Sequence, residues 1–296
     1  MKCVITGGAG FIGSNLVKEL ERQNHETIVI DDFSSGHKDN LETCKGVTIE
    51  QDVSKPFTVE GNIDAIFHIA AITDPRYEED ARLLEANVKG FQNILELAKE
   101  KKAKLVYAST AGLYGNGPAP QKEDQAKEIT TAYAESKLII DEMASHHYDD
   151  LQVVGLRYFN VFGPGETHKG RPASMIYHLI KQMRQGKRPK LFKHGEHKRD
   201  HIYVKDVVKA TIKALDAKSG VYNVGTGIGT SFNELIAAIN KALGTNLQPE
   251  YIDSPYDMKT YQHHTEADTT RAKKHLKFEA EYSLIDGIKD YLPQLK

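Results

Sequence analysis

The chain has little cysteine, little net charge and no long apolar run. Its 296 residues contain only two cysteines, Cys3 and Cys44, with no Cys-x-x-Cys pair. Neither a disulfide framework nor a cysteine zinc site is therefore expected, and a reducing, cytoplasmic setting is the simpler expectation. With 39 Lys+Arg against 41 Asp+Glu the formal net charge is -2, which argues against nucleic acid as the main partner. The longest apolar stretch, residues 65–72, is interrupted by His68 and falls far short of a membrane span. Residues 2–6 read as a short strand running into glycines, not as a secretion signal. Neither an internal repeat nor a low-complexity tract is found.

What is there has the balance of a globular enzyme, 40% hydrophobic and 27% charged. Strands are expected at residues 3–6, 27–30, 47–50, 64–69, 104–108 and 152–156, and helices at 14–23, 78–101 and 131–148. Strand and helix alternating in this way indicate an α/β protein with a doubly wound parallel sheet. After Tyr158 the rhythm changes. Gly163-Pro164-Gly165 opens a polar loop, and helices are expected at 174–185, 233–243 and 284–292. This divides the chain into a first domain, residues 1–160, and a smaller second one, residues 161–296. Residues 221–225 read as a strand able to return to the first sheet.

Residues 6–14 read Thr-Gly-Gly-Ala-Gly-Phe-Ile-Gly-Ser, so Gly7, Gly10 and Gly13 recur at intervals of three. They follow a strand and open a helix, the setting of a dinucleotide-binding loop. Gly7 allows the tight turn, Gly10 lets backbone approach a pyrophosphate, and Gly13 lets helix and strand pack closely. Phosphates are then expected against free N–H groups at the positive helix end. Asp31 closes the second strand, where an acid binds the adenosine ribose. A carboxylate there repels a 2′-phosphate. Asp32-Phe33-Ser34-Ser35-Gly36 offers no arginine to neutralise one, and Lys38 is the nearest cation. NAD is expected over NADP.

Tyr133 and Lys137 stand four apart in an expected helix and share one face. A phenol of ordinary pKa, ~10, is a poor base at neutral pH. A neighbouring ammonium and a cationic nicotinamide both favour the phenolate. Ser109 and Thr110 follow the fifth strand, at the edge where open α/β sheets bind ligands. A hydroxyl there can share a substrate proton with Tyr133. Alone, Tyr-x-x-x-Lys is a weak sign, common on solvated helix faces; beside the glycine loop it gains weight.

With these residues the chain resembles the extended short-chain dehydrogenase/reductase family, the nucleotide-sugar epimerases and dehydratases. The resemblance is carried by the glycine loop, His68-Ile69-Ala70-Ala71, Asn87, Ala108-Ser109-Thr110-Ala111-Gly112-Leu113-Tyr114-Gly115, Tyr133 with Lys137, and Arg157-Tyr158-Phe159-Asn160. It implies a Rossmann fold with NAD held by Gly7, Gly10, Phe11, Ile12, Gly13, Asp31, Asp32, Asp52, Val53, Ala70, Ala71, Asn87, Tyr133 and Lys137. Counting back from Tyr114-Gly115, the position that is usually a catalytic serine is Thr110, with Ser109 as the fallback. Family dehydratases place an Asp-Glu pair directly after that hydroxyl, and related decarboxylases keep the Glu; here stand Ala111 and Gly112. Family reductases that use a cysteine beside the hydroxyl also differ from this chain. Tyrosine, lysine and hydroxyl remain, implying removal and return of a hydride: an epimerase.

Phe162-Gly163-Pro164-Gly165-Glu166-Thr167-His168-Lys169-Gly170, with Ala173-Ser174-Met175 and Tyr261-Gln262, resembles the ADP-glycero-manno-heptose 6-epimerases. In that group a lysine at the matching position is a second acid/base; here it is Lys169, which is otherwise an exposed loop lysine. Residues 31–36 are instead closer to UDP-hexose 4-epimerases, so a UDP-glucose or UDP-N-acetylglucosamine 4-epimerase is the alternative. A reductase that releases its cofactor and a non-catalytic NAD-binding regulator are further alternatives, the second disfavoured by the intact Thr110, Tyr133 and Lys137. By resemblance Asn160 and Arg199 contact the diphosphate of the nucleotide sugar, in a substrate site with Ser109, Thr110 and Lys169. Arg199 has the alternative of a structural pair with Asp200 or Asp206. A homodimer paired through helices 78–101 and 131–148 is also implied.

Thirteen histidines invite a metal hypothesis. His194, His197 and His201 have helical spacing, but Gly195 and the strand-like Ile202-Tyr203-Val204 argue against a helix. No cysteine or acid completes a ligand set, so no metal is expected.

Overall fold

The computed structural model describes residues 1–74, 79–254 and 261–295. Its first half alternates strictly. β1 (Lys2–Thr6) leads into α1 (Phe11–Arg22), followed by β2 (Glu26–Asp31), β3 (Val47–Glu50) and β4 (Ala65–His68). Then come α2 (Asp80–Lys101), β5 (Lys104–Thr110), α3 (Ala132–Ser145) and β6 (Val153–Tyr158). The expected start of the second helix, Glu78, lies outside the described residues. The third helix stops at Ser145, three residues before the expected end.

The second half is made of shorter pieces. β7 (Asn160–Phe162), α4 (Met175–Arg184), β8 (Lys190–Phe192), β9 (Lys198–Tyr203) and α5 (Val204–Lys213) come first. β10 (Gly220–Val224), β11 (Gly229–Ser231), α6 (Phe232–Leu243), β12 (Glu250–Ile252) and α7 (Leu284–Tyr291) complete the chain. Four of these strands have only three residues, too few for a period of two to show in the sequence.

Seven strands form one sheet in the order β10-β6-β5-β4-β1-β2-β3, all parallel. β1, β4 and β5 are buried almost throughout because helices cover both faces of a parallel sheet. Leu16, Val17 and Leu20 of α1 pack on one face with Cys3, Ile5, Val29 and Phe67, and α5 joins them through Val207 and Val208. On the other face Phe91, Ile94 and Ile140 of α2 and α3 cover Val4, Ile66, Leu105 and Tyr107. Strand order reverses between β1 and β4, and the crevice at their carboxyl ends is where such sheets take ligands. β10 lies on the far edge against β6, with Val224 opposite Tyr158.

The remaining strands make a three-stranded sheet, β11-β9-β7, and a β12-β8 pair. α6 starts in a capping box between Ser231 and Glu234. Beneath the crevice Arg157 and Asp141 form an ion pair at 2.8 Å, with side chains only 4% and 6% exposed. Asp141 also accepts from the Tyr107 hydroxyl at 3.0 Å, so the buried carboxylate is fully engaged. Among the described residues no helix is long and apolar enough to cross a membrane.

Candidate active site

The glycine loop turns where β1 meets α1. Gly7 has φ +68°, and a Cβ on it would lie 2.6 Å from the Ala70 nitrogen. Its own N–H donates to the Ile30 carbonyl at 2.8 Å, tying β1 to β2. A Cβ on Gly13 would sit 2.1 Å from the Gly7 carbonyl oxygen, so any larger residue would push α1 off the loop. α1 begins after Gly10 with no side-chain cap and no acid in its first turn. Its first N–H groups, from Phe11 and Ile12 onward, are left as donors for an anion.

Asp31 is buried at the end of β2 and accepts from the N–H groups of Ala9 and Phe33, both at 2.9 Å. Burial raises its pKa and these two donors partly restore it. Asp32 is exposed and accepts from the Ser34 N–H and hydroxyl, which makes it a turn residue. Asp52 similarly accepts from Ser54 N–H at 2.8 Å, and Val53 packs under α2 against Gly90. Ala70 and Ala71 follow β4, and Asn87 of α2 holds the next residue. Asn87 accepts from the Ile72 N–H at 2.8 Å and donates to the Ile72 carbonyl and to Ser136 of α3. The glycine cradle, uncapped helix and carboxylate at the tip of β2 therefore fit NAD.

α3 carries the candidate pair Tyr133 and Lys137. Thr131 caps it, its hydroxyl accepting from Ala134 N–H at 3.1 Å, and this brings Tyr133 into the first turn. The Lys137 ammonium lies 5.8 Å from the centre of the Tyr133 ring. Lys137 is 1% exposed, and burial pulls its pKa down to about 8 against the opposing pull of Asp141. Burial also pushes Tyr133 up to about 12, with the Thr110 hydroxyl beside it working in the other direction. Tyr133 thus differs from the sequence expectation. The residues around it do not by themselves favour the phenolate, because desolvation outweighs them.

Thr110 accepts from Gly112 N–H at 3.0 Å, which fixes its side chain at the edge of β5. Ser109 is buried, and its hydroxyl has no hydrogen-bond partner among the described residues. Buried His68 at the end of β4 bonds the Thr6 hydroxyl at 2.8 Å. Its pKa falls to about 3 through burial and the Lys137 charge, so it is neutral.

Lys169 arrives from the second half. Its loop docks on α1 through Asn15, which donates to the Pro164 carbonyl at 2.8 Å, and on the turn at Lys38–Leu41 through His168, 3.1 Å from Asn40. The Lys169 ammonium ends 5.7 Å from the centre of the Phe11 ring, at the first turn of α1. Burial lowers its pKa, while Glu166 and Asp74 raise it. Lys169 is half-buried, and so is not a fully exposed loop lysine.

Arg199 on β9 is 8% exposed and lies against the rings of Tyr261 and Phe232, 5.0 and 5.9 Å away. It pairs with neither carboxylate offered as an alternative. Asp200 accepts from Thr226, Gly227 and Ala267, and Asp206 accepts from the N–H groups of Glu281 and Tyr282. Burial lowers the Arg199 pKa; it is a desolvated cation able to hold an anion in a forked grip. Asn160 donates to Thr265 at 3.0 Å and to the Asp200 carbonyl at 3.3 Å, so it also helps to hold β9 in place. His197 stacks on His263 and His201 packs on Phe232. Among the described residues no group of three metal-ligating side chains converges.

Reading by motif missed the roles of two carboxylates, Asp200, which it weighed only as a partner of Arg199, and Glu166. Asp200, through four accepted bonds, ties β9 to the segments at 226–227 and 267. Glu166 is wholly buried in the Lys169 loop. Burial of an acid next to Gly-Pro-Gly is not visible in a linear pattern, although Glu166 stands inside the stretch that carried the resemblance.

A model of the NAD dependent epimerase/dehydratase family matches residues 3–225. The ADP-L-glycero-D-manno-heptose-6-epimerase of Brachyspira hyodysenteriae is 37% identical over 288 residues, covering 91% of this chain and 90% of that protein. That of Alkalilimnicola ehrlichii is 33% identical, covering 98% and 96%. Among solved structures, the Helicobacter pylori ADP-L-glycero-D-manno-heptose-6-epimerase superposes with a TM-score of 0.92 at 38% identity, covering 99% and 96%. A Thermotoga maritima UDP-glucose 4-epimerase with UDP-glucose gives 0.89 at 28% identity, covering 99% and 98%. The glycine cradle, the Thr110-Tyr133-Lys137 set and a match spanning most of the chain agree, and the chain belongs to the NAD dependent epimerase/dehydratase family.

Proposed function

We propose that this epimerase acts on an ADP-heptose, inverting C6 by transient oxidation to a ketone and reduction on the opposite face. The observation that carries the reading is the pairing of two bases. Tyr133 with Lys137 stands on α3, while a second, partly desolvated amine, Lys169, is delivered to the first turn of α1. When bound, NAD supplies the hydride acceptor and a positive nicotinamide ring. Tyr133 takes the proton of the reacting hydroxyl, Thr110 hydrogen-bonds the same oxygen, and Lys137 holds the cofactor ribose, the phenolate being favoured once the nicotinamide charge adds to that of Lys137. Lys169 serves the ketone from the other face. Arg199 and Asn160 hold the diphosphate, and the Asp31 carboxylate selects NAD over NADP. The working unit is a cytoplasmic homodimer paired through α2 and α3.

A second reading, a UDP-hexose 4-epimerase, is favoured by the likeness to the Thermotoga structure and by residues 31–36. Incubation with ADP-heptose, UDP-glucose and UDP-N-acetylglucosamine in turn, each followed by anomeric NMR without added cofactor, separates the two. A new epimer from ADP-heptose alone supports the main reading, and conversion of a UDP-hexose instead overturns it. Tyr133→Phe should abolish turnover with the fold intact; a fully active variant would remove Tyr133 from the chemistry.

A further inference from the structure

The loop that presents Lys169 is organised around a single buried acid. Glu166 is 0% exposed. One carboxylate oxygen accepts from Gly163 N–H at 3.0 Å and from the Ser174 hydroxyl at 2.9 Å. The other accepts from Ser174 N–H at 2.6 Å. Gly163 follows β7 and Ser174 caps α4, so the carboxylate joins the two rigid ends of the loop. The Lys169 N–H in turn donates to the Glu166 carbonyl at 3.0 Å, closing one turn between the two residues.

Among the described residues no cation forms a salt bridge with Glu166. Burying a carboxylate is costly: burial raises the Glu166 pKa, and three donors offset part of that cost. An acceptor-only group suits three donors, whereas an amide of the same shape must, in either orientation, turn its NH2 against a backbone N–H, of Gly163 or of Ser174. Lys169 has a flexible four-carbon stem, and its aim depends on the backbone that carries it. Two contacts hold that backbone to the nucleotide-binding half: Asn15 with Pro164, and Asn40 with His168. Both lie between the residues joined by Glu166.

We propose that Glu166 is a positioning residue for Lys169, a carboxylate that closes the 163–174 loop so that the second amine meets the ketone at reacting distance. This rests on the reading of Lys169 as the second acid/base. Misplacing a reacting group by about 1 Å costs roughly 100-fold in rate. Glu166→Gln should therefore lower kcat ~10- to 100-fold with KM within ~3-fold.

The test follows single-turnover reduction of enzyme-bound NAD at 340 nm with ADP-heptose and, separately, with its C6 epimer. Wild type, Lys169→Ala and Glu166→Gln are compared. Lys169→Ala should slow one epimer and spare the other. Glu166→Gln should slow the same epimer, and amides in residues 163–174 should exchange hydrogen faster in it than in Lys169→Ala. If Lys169→Ala is selective but Glu166→Gln matches wild type, or slows both epimers alike, the positioning role is refuted. If Lys169→Ala shows no selectivity, the underlying reading of Lys169 falls and the proposal with it. Ser174→Ala removes only one of the three donors, and should show the same selectivity more weakly if Glu166→Gln fails to fold; equal slowing of both epimers would again refute the role.

Discussion

Replacing Lys137 by Met should make the protein more stable while it abolishes turnover. Lys137 is 1% exposed, and among the described residues no salt bridge reaches it. Its pKa falls from 10.5 to about 8, which corresponds to ~3 kcal/mol of folding free energy lost at pH 7. The sign follows from proton counts. Between pH 8 and 10.5 the unfolded chain holds a proton on this lysine and the folded protein does not, so stability rises with pH across that window. The penalty is complete below pH 8 and shrinks to about 1 kcal/mol near pH 10. Met has a similar length and carries no charge. Urea denaturation of dinucleotide-free wild type and variant at pH 7 and pH 10 measures the difference. A gain of ~3 kcal/mol at pH 7 that falls to ~1 at pH 10 is expected. A variant less stable than wild type at pH 7, or a pH-independent difference, would refute the reasoning. The physical content is that an enzyme gives up stability to hold an amine where chemistry needs it.

Two further outcomes follow from contacts in the fold. Gly13→Ala places a Cβ 2.1 Å from the Gly7 carbonyl oxygen, a backbone clash that no rotamer relieves; it should cost ~1–3 kcal/mol or more. Bound dinucleotide, read by the absorbance ratio of purified protein, should be lost, and normal retention would contradict the close packing of loop and helix. Asp141→Ala strands the Arg157 guanidinium in the core, with a side chain only 4% exposed, and should cost ~3–5 kcal/mol. Thermal melting checks this, and Asp141→Leu with Arg157→Met should recover most of the loss; an unchanged melting temperature in the single variant would contradict it.

The nucleotide-binding half was legible because its signals are local. Nine contiguous residues contain the whole glycine turn, the apolar strands alternate with amphipathic helices, and a four-residue spacing puts Tyr133 and Lys137 on one helical face. What was decided by distance in space was not legible. Whether Arg199 pairs with Asp200 or Asp206 depends on where those carboxylates point, and both accept from other groups, mostly backbone N–H, in segments brought near by folding. Desolvation, which raises Tyr133 and lowers Lys137 and Lys169, is a property of what surrounds a residue, not of the residue. Residues 221–225 were legible as a strand able to return to the first sheet, but that it pairs with β6, more than sixty residues back along the chain, was not. By itself the sequence determined the glycine turn and the alternating fold class and offered Tyr133 and Lys137 as a candidate pair, because each is written in spacings of a few residues. Only the tertiary structure decided which acids are already engaged, which amines are stripped of water, and that one buried carboxylate holds the loop of Lys169, because burial and long-range hydrogen bonds exist only once the chain has packed.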